Sequence, residues 1–121
     1  MNFPRFFKSF KYALEGIHYT FRNDQNVIAH FIVGGLVIVA SLLLKVNPFE
    51  MAILGLTIMM VISAEMVNSA IEKMVDLITK EHNASAKIAK DVSAGMVLLT
   101  ALAAAVIGVL IFLPYILDLF R

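Results

Sequence analysis

Glu65, Asn68, Glu72 and Asp76 stand three, four and four residues apart in the stretch ISAEMVNSAIEKMVDLI. On an α-helix that spacing puts three carboxylates and one carboxamide on a single face. Carboxylates in such a row suit two tasks: taking a proton from an alcohol, and holding magnesium together with phosphate oxygens. Lys90 and Asp91 follow in AKIAKDVSAG, directly before the small residues Ser93, Ala94 and Gly95. A lysine there can meet phosphate, which completes the parts of phosphoryl transfer. Neither a P-loop pattern nor a protein-kinase motif set occurs in the chain. On spacing alone, a membrane phosphotransferase and a helix-bundle assembly protein with structural polar contacts both remain open.

The elements that must position this row are apolar. Of the 121 residues, 60% are hydrophobic, 16% are charged and none is cysteine. A water-soluble domain of this length lacks the interior to bury so much apolar surface. The absence of cysteine excludes disulfides and thiolate metal sites. A net charge of +1 gives no general field for nucleic acid, so no nucleic-acid partner is expected. Three apolar blocks, at 27–46, 49–71 and 96–117, are each about 20 residues long, enough to cross about 30 Å of hydrocarbon. Residues 1–22 differ. Phe3, Phe6, Phe7, Phe10, Leu14 and Ile17 share one side of a helix, with Arg5, Lys8, Lys11 and Glu15 on the other. That pattern predicts an amphipathic helix lying in the membrane surface.

The expected fold is therefore all-α: one integral-membrane domain over 1–121, with three transmembrane helices behind a surface helix. Asn47-Pro48, within Lys45–Glu50, predicts a tight turn between the first two spans. Arg5, Lys8, Lys11 and Arg22 precede the first span, and Lys73, Lys80, Lys87 and Lys90 lie between the second and third. Only Lys45 and Arg121 fall on the other side. The basic bias places the N-terminus and the 72–95 segment in the cytoplasm, in a multi-pass protein of the cell membrane. Glu65 then lies about 24 Å along its helix from Phe49, at the cytoplasmic edge of the hydrocarbon. A carboxylate there is costly unless it faces protein and works. Glu72 and Asp76 reach water, where ordinary solvated charges beside Lys73 and Lys80 are an equally good reading. Asn83 or Ser85 is placed to cap a helix running into the third span.

AEMVNSAIEKMVD followed by AKIAKDVSAGMVLL closely resembles the signature of the small prokaryotic integral-membrane lipid kinases, the diacylglycerol and undecaprenol kinases. The resemblance covers nearly the whole chain. It implies a homotrimer that phosphorylates the hydroxyl of a membrane lipid alcohol with ATP and Mg2+. It assigns Glu65 as catalytic base, with Asn68 beside it at the lipid. It assigns Glu72 and Asp24 to the metal. It assigns Arg5, Tyr12, Asp24, Glu72, Asp76, Lys90 and Asp91 to the nucleotide. Asp24 departs from the usual glutamate and is one methylene shorter; a cap on the first span is the alternative role for Asn23 or Asp24. His30 and the apolar tail resemble the undecaprenol branch, so undecaprenol is the expected acceptor. Diacylglycerol is the alternative, and a non-catalytic membrane assembly protein stands behind both. His30 is equally placed for a helix–helix hydrogen bond. Gly34, Gly35, Ser41 and the methionines are expected to serve packing.

Overall fold

The computed structural model describes residues 2–121 as four α-helices: α1 Phe3–Asn23, α2 Gln25–Leu43, α3 Pro48–Ile78 and α4 Ala84–Leu119. Each begins on a polar cap. The side chains of Asn2, Asp24, Asn47 and Asn83 accept from backbone N–H groups in the first turns of α1, α2, α3 and α4. Pro4 and Pro48 sit in the first turns of α1 and α3, where the missing N–H is not needed. Asp24 does two things at once. Its N–H closes α1 on the Thr20 carbonyl at 2.8 Å, and its carboxylate opens α2.

The α2–α3 turn is a helix stop followed by a cap. Lys45 has a φ of 57°. Its N–H donates to the Leu42 carbonyl, and the Val46 N–H to that of Ser41, a Schellman arrangement that reverses the chain within three residues. The third connection is also short. α3 ends at Ile78 with Thr79 as its cap, and α4 starts at Ala84 after residues 79–83.

α2, α3 and α4 are each long and apolar enough to cross a membrane. With 31 residues, α3 is about 46 Å long, well beyond a hydrocarbon core of about 30 Å. Its charged end therefore projects past the apolar stretch. α3 is the central element, packed on α2 along one flank and on α4 along the other, while α1 packs on the start of α2. Close approach of α2 and α3 depends on Gly34: a methyl there would come within 2.7 Å of the Ile58 Cγ2. Phe21 and Phe31 meet edge to face across the α1–α2 corner. A small core of Val46, Leu54 and Ile111 closes the turn end. Elsewhere most large apolar side chains point outward, and no residue of α1 is buried. In water this surface has no compensation; acyl chains supply one.

Candidate functional site

The polar row lies on the α3 stripe that carries Leu54, Ile58 and Val61 further up the helix. Its members differ sharply in burial. Glu65 is 3% exposed and Asn68 6% exposed, whereas Glu72 and Asp76 are exposed. The two buried residues are met from opposite flanks. From α2, the Asn26 amide donates to Glu65 Oε1 at 3.3 Å. From α4, the Ser93 hydroxyl donates to Asn68 Oδ1 at 2.6 Å. The first turn of α2 is itself held in place. Asp24 Oδ1 accepts from the N–H groups of Asn26 at 2.9 Å and Val27 at 3.3 Å, Val27 is fully buried, and Ser69 donates to Asp24 Oδ2.

Asp24 therefore caps α2 and also contacts α3 at Ser69. Ser69 and Glu72 are three residues apart, neighbours on the helix surface. Asp24 thus meets α3 one turn before Glu72. Glu72 takes part in none of the ion pairs found among the described residues. No cluster of three or more histidine, cysteine or acidic side chains suited to a metal occurs among those residues. Two carboxylates suit a magnesium ion that keeps several waters and shares phosphate oxygens with a substrate. Glu72, exposed and outside those ion pairs, is open to that role.

Further along, Lys90 pairs with Asp76 at 2.6 Å and Lys87 with Asp91 at 2.6 Å. The Lys90 ammonium is held above its ordinary pKa, first by its hydrogen bond to Asp76, with the charges of Asp76 and Glu72 adding to this. Asp76, Lys87, Lys90 and Asp91 line a polar cleft of about 830 Å³ between the end of α3 and the start of α4, with Lys80 and His82 also in its wall. A second hollow of about 850 Å³ runs up the bundle between α2, α3 and α4. Its walls include Gly34, Ile58, Val61, Ala105 and Gly108, and His30 stands near its polar end, one turn from Asn26. The α3 residues lining it lead directly to Glu65, so an apolar groove and a polar cleft converge on one helix stripe.

Glu65, Asn68, Asp24, Glu72, Asp76, Lys90 and Asp91 thus gather at one end of the bundle. Arg5 and Tyr12 do not. Both are exposed on α1. The link from α1 to the stripe is Tyr19, whose hydroxyl receives the Lys73 ammonium at 2.7 Å and whose ring lies 4.9 Å from it. Tyr12 is about 10 Å along the helix from that anchor, and Arg5 about 21 Å. Sequence reasoning missed Asn26, Ser69, Tyr19 and Lys73 as partners and took Ser93 for a packing residue. One signal was available: Ser93 follows Lys90 by three and shares its helix face.

The family model for prokaryotic diacylglycerol kinase matches residues 11–112. Two relatives are close over most of the chain. The diacylglycerol kinase of Synechocystis sp. is 40% identical over 117 residues, 96% of this chain and 67% of the relative. The undecaprenol kinase of Bacillus subtilis is 43% identical over 110 residues, 91% of this chain and 89% of the relative.

Proposed function

Since the chain belongs to the prokaryotic diacylglycerol kinase family and is a lipid kinase, we propose that it transfers the γ-phosphoryl group of ATP, with Mg2+, to undecaprenol. The observation that carries this reading is an apolar groove whose last α3 wall residue, Val61, stands one turn before the buried carboxylate of Glu65 on the same helix stripe. One groove suits one long isoprenoid chain. The extent of the match to the undecaprenol kinase, 89% of that relative's length, favours the same acceptor. Diacylglycerol, with two acyl chains, is the second reading, supported by the Synechocystis relative.

In the proposed mechanism the lipid chain lies in the groove with its hydroxyl at Glu65, and Asn68 offers its amide hydrogens beside it. Glu65 accepts the hydroxyl proton while the oxygen bonds to the γ-phosphorus. The bond from that phosphorus to the β–γ bridging oxygen breaks, leaving ADP and the lipid phosphate. Asp24 and Glu72 are the residues that would hold a magnesium ion, which would supply neutralisation of phosphate charge when bound. Lys90 exchanges Asp76 for phosphate as ATP enters the polar cleft, and Asp76 and Asp91 orient the nucleotide. Positioning and charge carry most of the rate, because the transition state needs little covalent help.

The site is proposed to face the cytoplasm of a bacterial cell, with the N-terminus and the 79–83 connection on that side. The basic residues clustered at that end support the orientation. A homotrimer is part of the proposal. Three spans leave much of α4 uncovered, and a neighbouring copy would bring a second α1, with its Arg5 and Tyr12, toward each site.

The test offers purified protein radiolabelled ATP and magnesium with undecaprenol or diacylglycerol in mixed micelles, followed by separation of the lipid products. Label passes to undecaprenol in preference by about tenfold or more. In Glu72→Gln the magnesium needed for half-maximal rate rises by about tenfold or more. Label on diacylglycerol alone would transfer the reading to that acceptor, and an unmoved magnesium curve would remove Glu72 from the metal site.

A further inference from the structure

Glu65 is nearly sealed from solvent, yet Asn26 is its sole hydrogen-bond partner among the described residues, through Oε1 at 3.3 Å. Every fully buried side-chain oxygen or nitrogen among the described residues has a hydrogen-bond partner. The unbonded Oε2 must therefore keep an opening to the outside of the helix packing. The two oxygens of one carboxylate are thus differentiated, one tethered and one free.

Neither of the other polar neighbours supplies that tether. Asn68 is bonded to Ser93 and makes no bond to Glu65, and the Ser69 hydroxyl is directed to Asp24. Asn26 is well placed for the task because its own position is fixed. Its N–H is bound by Asp24 at 2.9 Å, and the next residue, Val27, is fully buried. The α2 start is thus a rigid mount with one amide reaching across to α3. Without that donor the Glu65 side chain keeps its burial but loses what fixes its rotation, and a displacement of about 1 Å at a reacting group can cost about 100-fold in rate.

We propose that Asn26 is a positioning residue: it holds Glu65 by Oε1 so that Oε2 faces the incoming lipid hydroxyl. This inference rests on Glu65 being the base, as argued above. It predicts an effect on turnover and none on substrate capture. The Asn26 side chain reaches Glu65 and does not line the polar cleft, and its substitution leaves the backbone N–H on Asp24, so nucleotide affinity does not depend on that side chain.

The experiment is steady-state kinetics on purified Asn26→Ala, Asn26→Leu and Asn26→Gln, with Glu65→Gln in parallel and thermal unfolding in detergent recorded for each. Leucine matches asparagine in size and lacks the donor, so it provides a second donor-free variant should alanine fail to fold. The expected result is a fall in kcat of about 10- to 100-fold in the alanine and leucine variants. KM for ATP and for the lipid stays within about twofold in each, since uniform binding is untouched. Glutamine, which restores an amide donor, recovers part of the lost kcat. Unchanged kcat in the donor-free variants while Glu65→Gln is inactive would overturn the role of Asn26 and leave the base assignment standing. So would a loss seen only in KM, or a glutamine variant as slow as leucine. Near-normal turnover in Glu65→Gln would instead remove the base itself, and this inference with it.

Discussion

Each end of the bundle carries a glutamate close to an asparagine and a hydroxyl, and the two ends use them differently. At the α2–α3 turn, Glu50 Oε1 accepts from the Tyr115 hydroxyl at 2.7 Å and from the Asn47 amide, while its N–H donates to Asn47 Oδ1 at 2.8 Å. The Asn47 N–H reaches Tyr115 at 3.1 Å. This is a helix cap extended into a latch between the turn and α4, seated on Val46, Leu54 and Ile111. At the opposite end Glu65 is more deeply buried than Glu50, yet it has one hydrogen bond. Ser93 spends its hydroxyl proton on Asn68 and leaves the carboxylate alone. Both Glu50 bonds fall on one oxygen, and the two donors it gathers, from the turn and from α4, hold structure together. Glu65 is buried and gathers only one donor, and it lies one turn beyond Val61, the last α3 residue of the apolar groove.

The largest test of this contrast exchanges each glutamate for glutamine. Glu65→Gln lowers kcat by about 1,000-fold, the scale of a lost general base, with thermal unfolding little changed. Glu50→Gln leaves kcat within about threefold and costs about 1 kcal/mol of stability, because the amide oxygen still accepts from Tyr115 and Asn47 but as a neutral, weaker acceptor. Activity lost in Glu50→Gln, or stability lost instead of activity in Glu65→Gln, would reverse the assignment of latch and base.

A second test acts between the two ends. Gly34→Ala puts a methyl against Ile58 and destabilises the α2–α3 pair by about 1–3 kcal/mol, the range for overpacking. Ile58→Ala in the same chain recovers part of that loss, as measured by unfolding in detergent. If the two ends are coupled through this crossing, Gly34→Ala also lowers kcat by moving the mount of Asn26. Full activity in the folded fraction would show the inner end to be held locally by Asp24 and Ser69.

The smallest effect belongs to the turn. Lys45 adopts a left-handed conformation, which costs an L-residue about 1–2 kcal/mol. Lys45→Gly relieves that strain, offset in part by the greater freedom of glycine in the unfolded chain. The net gain is about 0.5 kcal/mol, with turnover unaffected. A change in turnover there would mean that the latch end reaches the chemistry after all.

Much of the inner site was legible because it lies on one helix. The three-and-four spacing from Glu65 to Asp76 fixes a shared face wherever the helix goes. Helix starts were partly legible for the same reason. Asn83, proposed alongside Ser85, caps α4, and Asp24, proposed alongside Asn23, caps α2. The surroundings of Glu65 were not legible. Nothing in RNDQNVIAH states that Asn26 faces Glu65, or that Asp24 reaches Ser69 as well as its own helix. Ser93 read as a small residue for close packing, yet its hydroxyl binds Asn68. Arg5 and Tyr12 share a helix with the anchor Tyr19, and only the placement of α1 separates them from the row.

By itself the sequence determined what is periodic and local: three spans, an amphipathic first helix, the caps, and a row of acids at the end of an apolar stripe. Those features need hydrogen bonds within a few residues and a solvent that matches the apolar length. The tertiary structure alone decided which oxygen of Glu65 is tethered, which hydroxyls are spent, and where the groove ends. Those depend on how far α2 and α4 slide and rotate against α3. That register is set by a glycine crossing, a capped corner and a latched turn, contacts whose partners lie tens of residues apart along the chain.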